Sequence, residues 1–253
     1  MKIILMECVM DLKRTVRYKV GIISDTIIFT ILLLVFLFSD TGSSFQNEFN
    51  TKDYKPLLML GYIAWSLASI AISVVTYQIS SEVQRGTFYM KLNSGYPLQL
   101  IYLGDFLSAG ITQTGIVIFY SLICWVLFQV SYGISIQIVF SLIVGSIGMY
   151  GIGLIIAGMC LAFKKVNSFM FLIQLMLLFV TDTVPTSDGI TSITNIIPLT
   201  LCNKVIRKCF LSACSHNEFV MLCISSALFL AVGWIIFQCF FCYAKRKGIL
   251  LMY

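Results

Sequence analysis

Long apolar runs alternate with short polar connections along this chain. The runs cover roughly Gly21 to Phe38, Leu57 to Ile79, Phe106 to Val130, Ile134 to Phe163, Val166 to Thr181, and Phe219 to Tyr243. Within each, the apolar residues are continuous rather than alternating, which favours helices over the strands of a β-barrel. A helix needs about 20 apolar residues to cross a hydrocarbon layer about 30 Å thick. The pattern therefore predicts six transmembrane helices over residues 21–243. The fourth run is longer than a straight crossing requires, so it tilts, bends or continues beyond the membrane.

The segments outside the runs are patterned too. Leu5, Val9, Leu12, Val16 and Val20 recur at helical spacing, with Glu7, Asp11 and Arg14 gathered on the other side. Residues 1–20 read as an amphipathic interfacial helix whose cationic flank is Lys13, Arg14 and Arg17; a simple topological anchor is the plainer alternative. Residues 182–218 are too long for a simple connection. Ile193, Ile197, Leu201 and Val205 are spaced by four there, and Pro198 interrupts them. Two short re-entrant helices before the last run fit this, and an ordinary surface loop is the alternative.

Composition agrees with the pattern. The chain is 59% hydrophobic and 11% charged, with mean hydropathy +0.95, more apolar surface than one soluble core of this length can hide. With the amino terminus inside, the inner segments carry Lys2, Lys13, Arg14, Arg17, Lys19, Arg85, Lys91, Lys164, Lys165, Lys245, Arg246 and Lys247. The outer segments carry Lys52, Lys55, Lys204, Arg207 and Lys208. This bias places both termini in the cytoplasm. The net charge of +6 then follows from topology, and no basic stripe suits nucleic acid. Charges interrupt the first apolar residues, so no cleavable signal peptide is expected.

The chemistry of an enzyme is missing. There is no GxxxxGK[ST] phosphate loop, no zinc-binding HExxH and no GxSxG elbow, and the single histidine, His216, falls in an outer segment. No metal site is predicted. Most cysteines sit in or near apolar runs, where Cys acts as a small hydrophobe. Cys202, Cys209 and Cys214 fall outside, and Cys202 with Cys209 is the better-placed disulfide pair if their segment is not one straight helix. Ser141, Gly145, Gly148, Gly151, Gly153, Ala157 and Gly158 give the fourth run small residues suited to close helix packing. Gln113, Gln174 and Gln238 are the deep polar residues. With no acid at mid-membrane, an ion-coupled carrier is disfavoured.

The segment 80–105 carries the most polar chemistry. Glu82 and Arg85 stand three apart and can pair on one helical face. Phe88, Tyr89, Met90 and Leu92 make a short amphipathic stretch, and Asn93-Ser94-Gly95-Tyr96-Pro97 is a strong turn signal. A short helix, a turn and a new helix are predicted, with apolar side chains facing water beside charges, as on a docking surface. The run Glu82-x-x-Arg85-Gly86-Thr87-Phe88-Tyr89, then Leu92-Asn93-Ser94-Gly95-Tyr96-Pro97, resembles the segment after the second span of type-2 ABC transporter permeases. The basic tail within residues 244–253, Ala244-Lys245-Arg246-Lys247-Gly248-Ile249-Leu250, is similar to theirs. Gly95 and Tyr96 between Ser94 and Pro97, and Phe88-Tyr89 where Leu-Glu is common, depart from that pattern.

The resemblance implies the membrane subunit of a bacterial exporter in the plasma membrane. It implies a dimer with a like or unlike second permease, and a separate ABC ATPase that holds ATP and Mg while this chain holds no cofactor. Glu82, Arg85, Gly86, Thr87, Phe88, Tyr89 and Leu92 would be the ATPase-coupling segment, with Glu82 on a basic group of the partner and Phe88, Tyr89 and Leu92 in its cleft. Ile197, Pro198 and Leu201 would belong to an outer gate. Lipid and an exported cargo would be the remaining partners, the cargo being a hydrophobic drug or an antimicrobial, amphipathic peptide. A non-transporting scaffold or substrate-binding subunit is the alternative.

Overall fold

The computed structural model describes residues 2–39, 45, 53–130, 133, 135–163, 167–185, 194–211 and 215–247. Among them the fold is helical, with no strand. The helices are α1 (Lys2–Arg17), α2 (Lys19–Phe38), α3 (Lys55–Gln84), α4 (Phe88–Leu92), α5 (Leu98–Phe128), α6 (Ile136–Phe163), α7 (Asn167–Val180), α8 (Pro198–Phe210) and α9 (His216–Arg246). Local sequence sets many of the boundaries. Pro56 and Pro198 stand in the first turns of α3 and α8, where a missing N–H costs nothing. Beyond α3, Gly86 turns the chain with φ +69°, the left-handed geometry that glycine supplies without strain.

Five helices, α2, α3, α5, α6 and α9, are long and apolar enough to cross a membrane. They match five of the six predicted runs. The other, Val166 to Thr181, forms α7, whose 14 residues extend about 21 Å, short of a full crossing by themselves. Its helical geometry ends where Asp182 turns left-handed at φ +57°. Of the outer segment, only α8 is a described helix; residues 186–193, where the first re-entrant helix was expected, lie outside the described residues, as do Cys214 and Gly248.

Helix α3 is the hub. Its most apolar window is 83% buried by other parts of the protein, against 17% for α2 and α9. It packs on α6, α5, α8, α7 and α2. Polar side chains stitch it to these neighbours: Tyr62 donates to the Phe29 carbonyl at 2.7 Å, Trp65 Nε1 to the Gln174 carbonyl at 3.0 Å, and Gln174 Nε2 to the Ser69 carbonyl at 2.9 Å. Gln238 accepts from Gln99 Nε2 at 2.7 Å. Each bond satisfies a group that hydrocarbon could not.

Helices α6 and α9 approach each other closely. A Cβ on Gly233 would lie 2.1 Å from the Gly151 carbonyl oxygen, and one on Gly151 would lie 2.4 Å from that of Phe229. The backbones touch here, so the small residues of the fourth run serve packing.

Cys202 and Cys209, both buried, are not joined to each other, and the condition for that pairing is not met. They lie on one continuous helix, α8, where seven residues separate their backbones by about 10.5 Å, beyond the reach of an S–S bond. Cys202 instead donates to the Ser141 carbonyl of α6 at 3.3 Å.

Candidate functional site

Two charged centres hold the ends of the bundle. The first lies where α1, α3, α4 and α5 meet. Helix α1 docks along α5, close enough that a Cβ on Gly104 would meet the Ile4 carbonyl at 2.7 Å. It turns its acids inward and its apolar side outward: Leu5, Met6, Val9, Met10 and Val16 are exposed. An outward apolar stripe flanked by exposed Lys13 and Arg17 is the geometry of a helix seated in a headgroup layer. Arg14 is partly withdrawn from it by an ion pair with Asp11. Asp11 also accepts from Gln78 Nε2 at 3.1 Å and Ser108 Oγ at 2.7 Å.

Lys91 sits at the centre of this cluster. Its ammonium lies 2.6 Å from Glu7, 2.6 Å from Glu82 and 3.4 Å from Asp105. It also stands 4.8 Å over the Tyr102 ring, whose hydroxyl donates to Glu82 at 2.9 Å. One cation on the short helix α4 thus ties together carboxylates from α1, α3 and α5. Burial works to lower the Lys91 pKa, but the charges of Asp105 and Glu82 and hydrogen bonds to Glu7 and Glu82 outweigh it and hold it above its ordinary value. Glu7, Glu82 and Asp105 are close enough to share a metal ion, yet the Lys91 ammonium is the cation they share here.

This changes the reading of the coupling segment. Glu82 is turned inward, 5% exposed, and bonds Lys91 and Tyr102. It neither pairs with Arg85 nor faces outward to a partner, because the last turn of α3 lays it against α5 while Arg85, at the C-cap, projects to solvent. Phe88 is also buried, and Leu92 is partly buried against the core. Thr87 is exposed, and its N–H donates to the Glu82 carbonyl at 2.9 Å, closing the turn around Gly86. What faces solvent is Arg85, Tyr89, Met90 and Tyr96, the last three being 58%, 75% and 55% exposed. The predicted order of short helix, turn and new helix is present as α4, Asn93–Pro97 and α5. Lys91, Glu7 and Tyr102 went unrecognised as members of the site; an isolated Lys on a four-residue apolar stretch was their one visible signal.

The second centre lies at the other end. Arg207 of α8, one of the basic residues of the outer segments, is fully buried. Its Nη1 lies 2.6 Å from Asp182 Oδ2, and its Nη2 donates to the carbonyls of Asp182 and Thr183 at 2.5 and 3.2 Å. The guanidinium stands 4.0 Å from the Phe45 ring. Asn203 Nδ2 donates to the Thr181 carbonyl at 2.8 Å. These bonds fasten α8 to the end of α7. Of the implied gate residues, Pro198 and Leu201 are buried and Ile197 packs on the core as the N-cap of α8. Lys204 donates to Asn195 at 2.5 Å, and Lys208 pairs with Glu218. Because a forked guanidinium reaches three acceptors that an ammonium cannot span, Arg207→Lys is expected to cost about 2 kcal/mol, read as a lowered unfolding midpoint in detergent.

Comparison with known proteins adds a family assignment. The family model for the ABC-2 type transporter matches residues 1–211, which includes both centres and all but the last helix. No curated protein matches the chain.

Proposed function

The chain belongs to the ABC-2 type transporter family, and from that membership we propose that it forms the translocation pathway of an ATP-driven exporter. Membership makes it a multi-pass membrane permease subunit, partnered with an ABC ATPase and not an enzyme by itself. The finer reading is that two permease chains, like or unlike, assemble in a bacterial plasma membrane with both termini in the cytoplasm. The partner ATPase binds ATP and Mg. The five long helices and α7 make the six crossings, and the segment 182–218 carries the outer gate at Ile197, Pro198 and Leu201. The cargo is a hydrophobic drug or an amphipathic, antimicrobial peptide.

The observation that carries this reading is the exposed patch of Arg85, Tyr89, Met90 and Tyr96 on a mount fixed by Lys91. A docking surface must transmit force as well as bind. Here α4 is tied by one ammonium to α1, α3 and α5 together, so a push on the patch moves the interfacial helix and two spans as a unit. The two states of transport then need only differ in the contacts this patch makes with the ATPase.

Reconstitution in vesicles with the ABC ATPase encoded nearest to it tests the reading. A pathway-forming permease supports ATP-dependent movement of an amphipathic peptide or hydrophobic dye with these two proteins alone. A scaffold leaves the vesicles inert until a further membrane subunit is added, and movement of ions alone would contradict the cargo class.

A further inference from the structure

Helix α1 turns both of its carboxylates inward. Glu7 pairs with Lys91, and Asp11 is engaged by Arg14, Gln78 and Ser108. Its outward side keeps the cations. Lys13 and Arg17 are both exposed and stand four residues apart, one above the other on the helix. No carboxylate among the described residues pairs with either of them. They border an outward face that also exposes Leu5, Val9 and Val16.

The span that follows sets the depth of these cations. Helix α2 has 20 residues, a rise of about 30 Å, which matches the hydrocarbon thickness. Its first residue, Lys19, therefore stands at the hydrocarbon boundary, and the last turn of α1 lies at headgroup level. Tyr18, between the two helices, is 63% exposed, an aromatic placed as in an interfacial belt. The next exposed acid along the chain, Asp25, lies about 9 Å deeper than Lys19 and a third of a turn round the helix. A soluble anion would satisfy the cations but leave Leu5, Val9 and Val16 in water, so the partner that fits the whole face is a lipid. Its headgroup is one of net negative charge, since a zwitterionic headgroup brings a cation of its own.

We propose that α1 selects anionic phospholipids, gripping their phosphates with Lys13 and Arg17, and that this grip steadies the Lys91 cluster on its inner side. The link is direct. Asp11 and Glu7 belong to the same helix as the two cations, so lipid that holds the outward face holds the acids that fix α3, α4 and α5. The lipid site rests on the membrane placement of α2 and not on the transport reading.

The test uses the full chain in phosphatidylcholine vesicles with trace photoreactive phosphatidylglycerol or phosphatidylcholine of identical acyl chains, the reactive group near the glycerol. One basic residue near an anionic surface contributes about fivefold in affinity. The phosphatidylglycerol probe is therefore expected to label residues 12–20 about tenfold more than the choline probe. Lys13→Gln/Arg17→Gln should bring that ratio close to one with the unfolding midpoint unchanged, and Lys13→Arg/Arg17→Lys should keep it. Replacing about half of the host lipid by phosphatidylglycerol should slow amide exchange across α4 in the wild type and not in the Gln double variant. Equal labelling by the two probes, or a ratio untouched by the Gln double variant, overturns the lipid site. Exchange across α4 that ignores lipid charge, with labelling still selective, overturns the link to the Lys91 cluster. None of these readouts involves the ATPase, so failure of the transport reading leaves them unchanged.

Discussion

Lys91→Met is expected to cost about 3–5 kcal/mol of stability, enough to leave most of the chain unfolded or aggregated when solubilised. The substitution keeps the length and much of the apolar stem of the side chain but removes the one ammonium that Glu7, Glu82 and Asp105 share. Three carboxylates are then left facing one another with little water, and Glu82 and Asp105 are almost fully buried. The measurement is the unfolding midpoint in detergent together with the gel-filtration profile. A compensating change separates lost packing from stranded charge: Lys91→Met with Glu82→Gln should recover part of the loss, because it removes one of the repelling carboxylates. If the loss is all packing, the double variant is no better than the single one. The pH dependence follows from the raised Lys91 pKa. A lysine whose folded value exceeds its unfolded value of about 10.4 contributes its full stability below that value. The contribution is lost as pH rises through the raised folded value. Lys91 itself should therefore produce no change in stability between about pH 6 and 9 and a loss only under strongly alkaline conditions.

Gly233→Leu is expected to separate α6 from α9 and to prevent correct assembly of the bundle. A Cβ at this position would lie 2.1 Å from a backbone carbonyl oxygen of Gly151, with the Gly151 carbonyl carbon 2.7 Å away. No rotamer relieves a clash with backbone, so the helices themselves must move. The effect should exceed the about 1–3 kcal/mol of ordinary overpacking. Protease sensitivity of α9 and loss of a monodisperse gel-filtration peak are the readouts. Gly115→Leu is the control, since a Cβ there meets nothing within 4 Å; it should behave as wild type. Equal behaviour of the two variants would mean that the α6–α9 crossing is not held by backbone contact.

Much of the fold could be read in the pattern of apolar runs, because a membrane span is specified by composition over about 20 residues and needs no knowledge of its neighbours. Five spans and the α4–turn–α5 order followed from that. The run at Val166 forms α7, 14 residues long, and it ends beside Asp182, which bonds Arg207 25 residues ahead. Long-range pairing of this kind leaves no local signature. The same holds at the candidate site. Glu82, Arg85 and the turn were legible from local spacing, whereas the partners of Glu82 come from α4 and α5, and those of Arg207 from the end of α7. Sequence spacing suggested an i,i+3 pair between Glu82 and Arg85; the tertiary fold instead hides the acid and exposes the base. Phe88 likewise reads as one of four similar apolar residues, and only the packing of α4 distinguishes it from Tyr89 and Met90. Gln113 was visible as a deep polar residue, as were Gln174 and Gln238, but only the structure shows that the other two have partners.

Glu82 and Gly86, the obvious positions to alter from the sequence, are now poor probes of ATPase docking, since changing either disturbs the chain's own fold. Tyr89 and Met90 are better ones. The most direct test of the central claim is co-purification of the ABC ATPase encoded nearest to this chain, comparing wild type with Tyr89→Glu/Met90→Glu. Both side chains project to solvent, so the double variant should keep the wild-type unfolding midpoint while losing the ATPase. Retention of the ATPase by a folded double variant at the wild-type level would contradict the assignment of α4 as the surface through which this permease is driven.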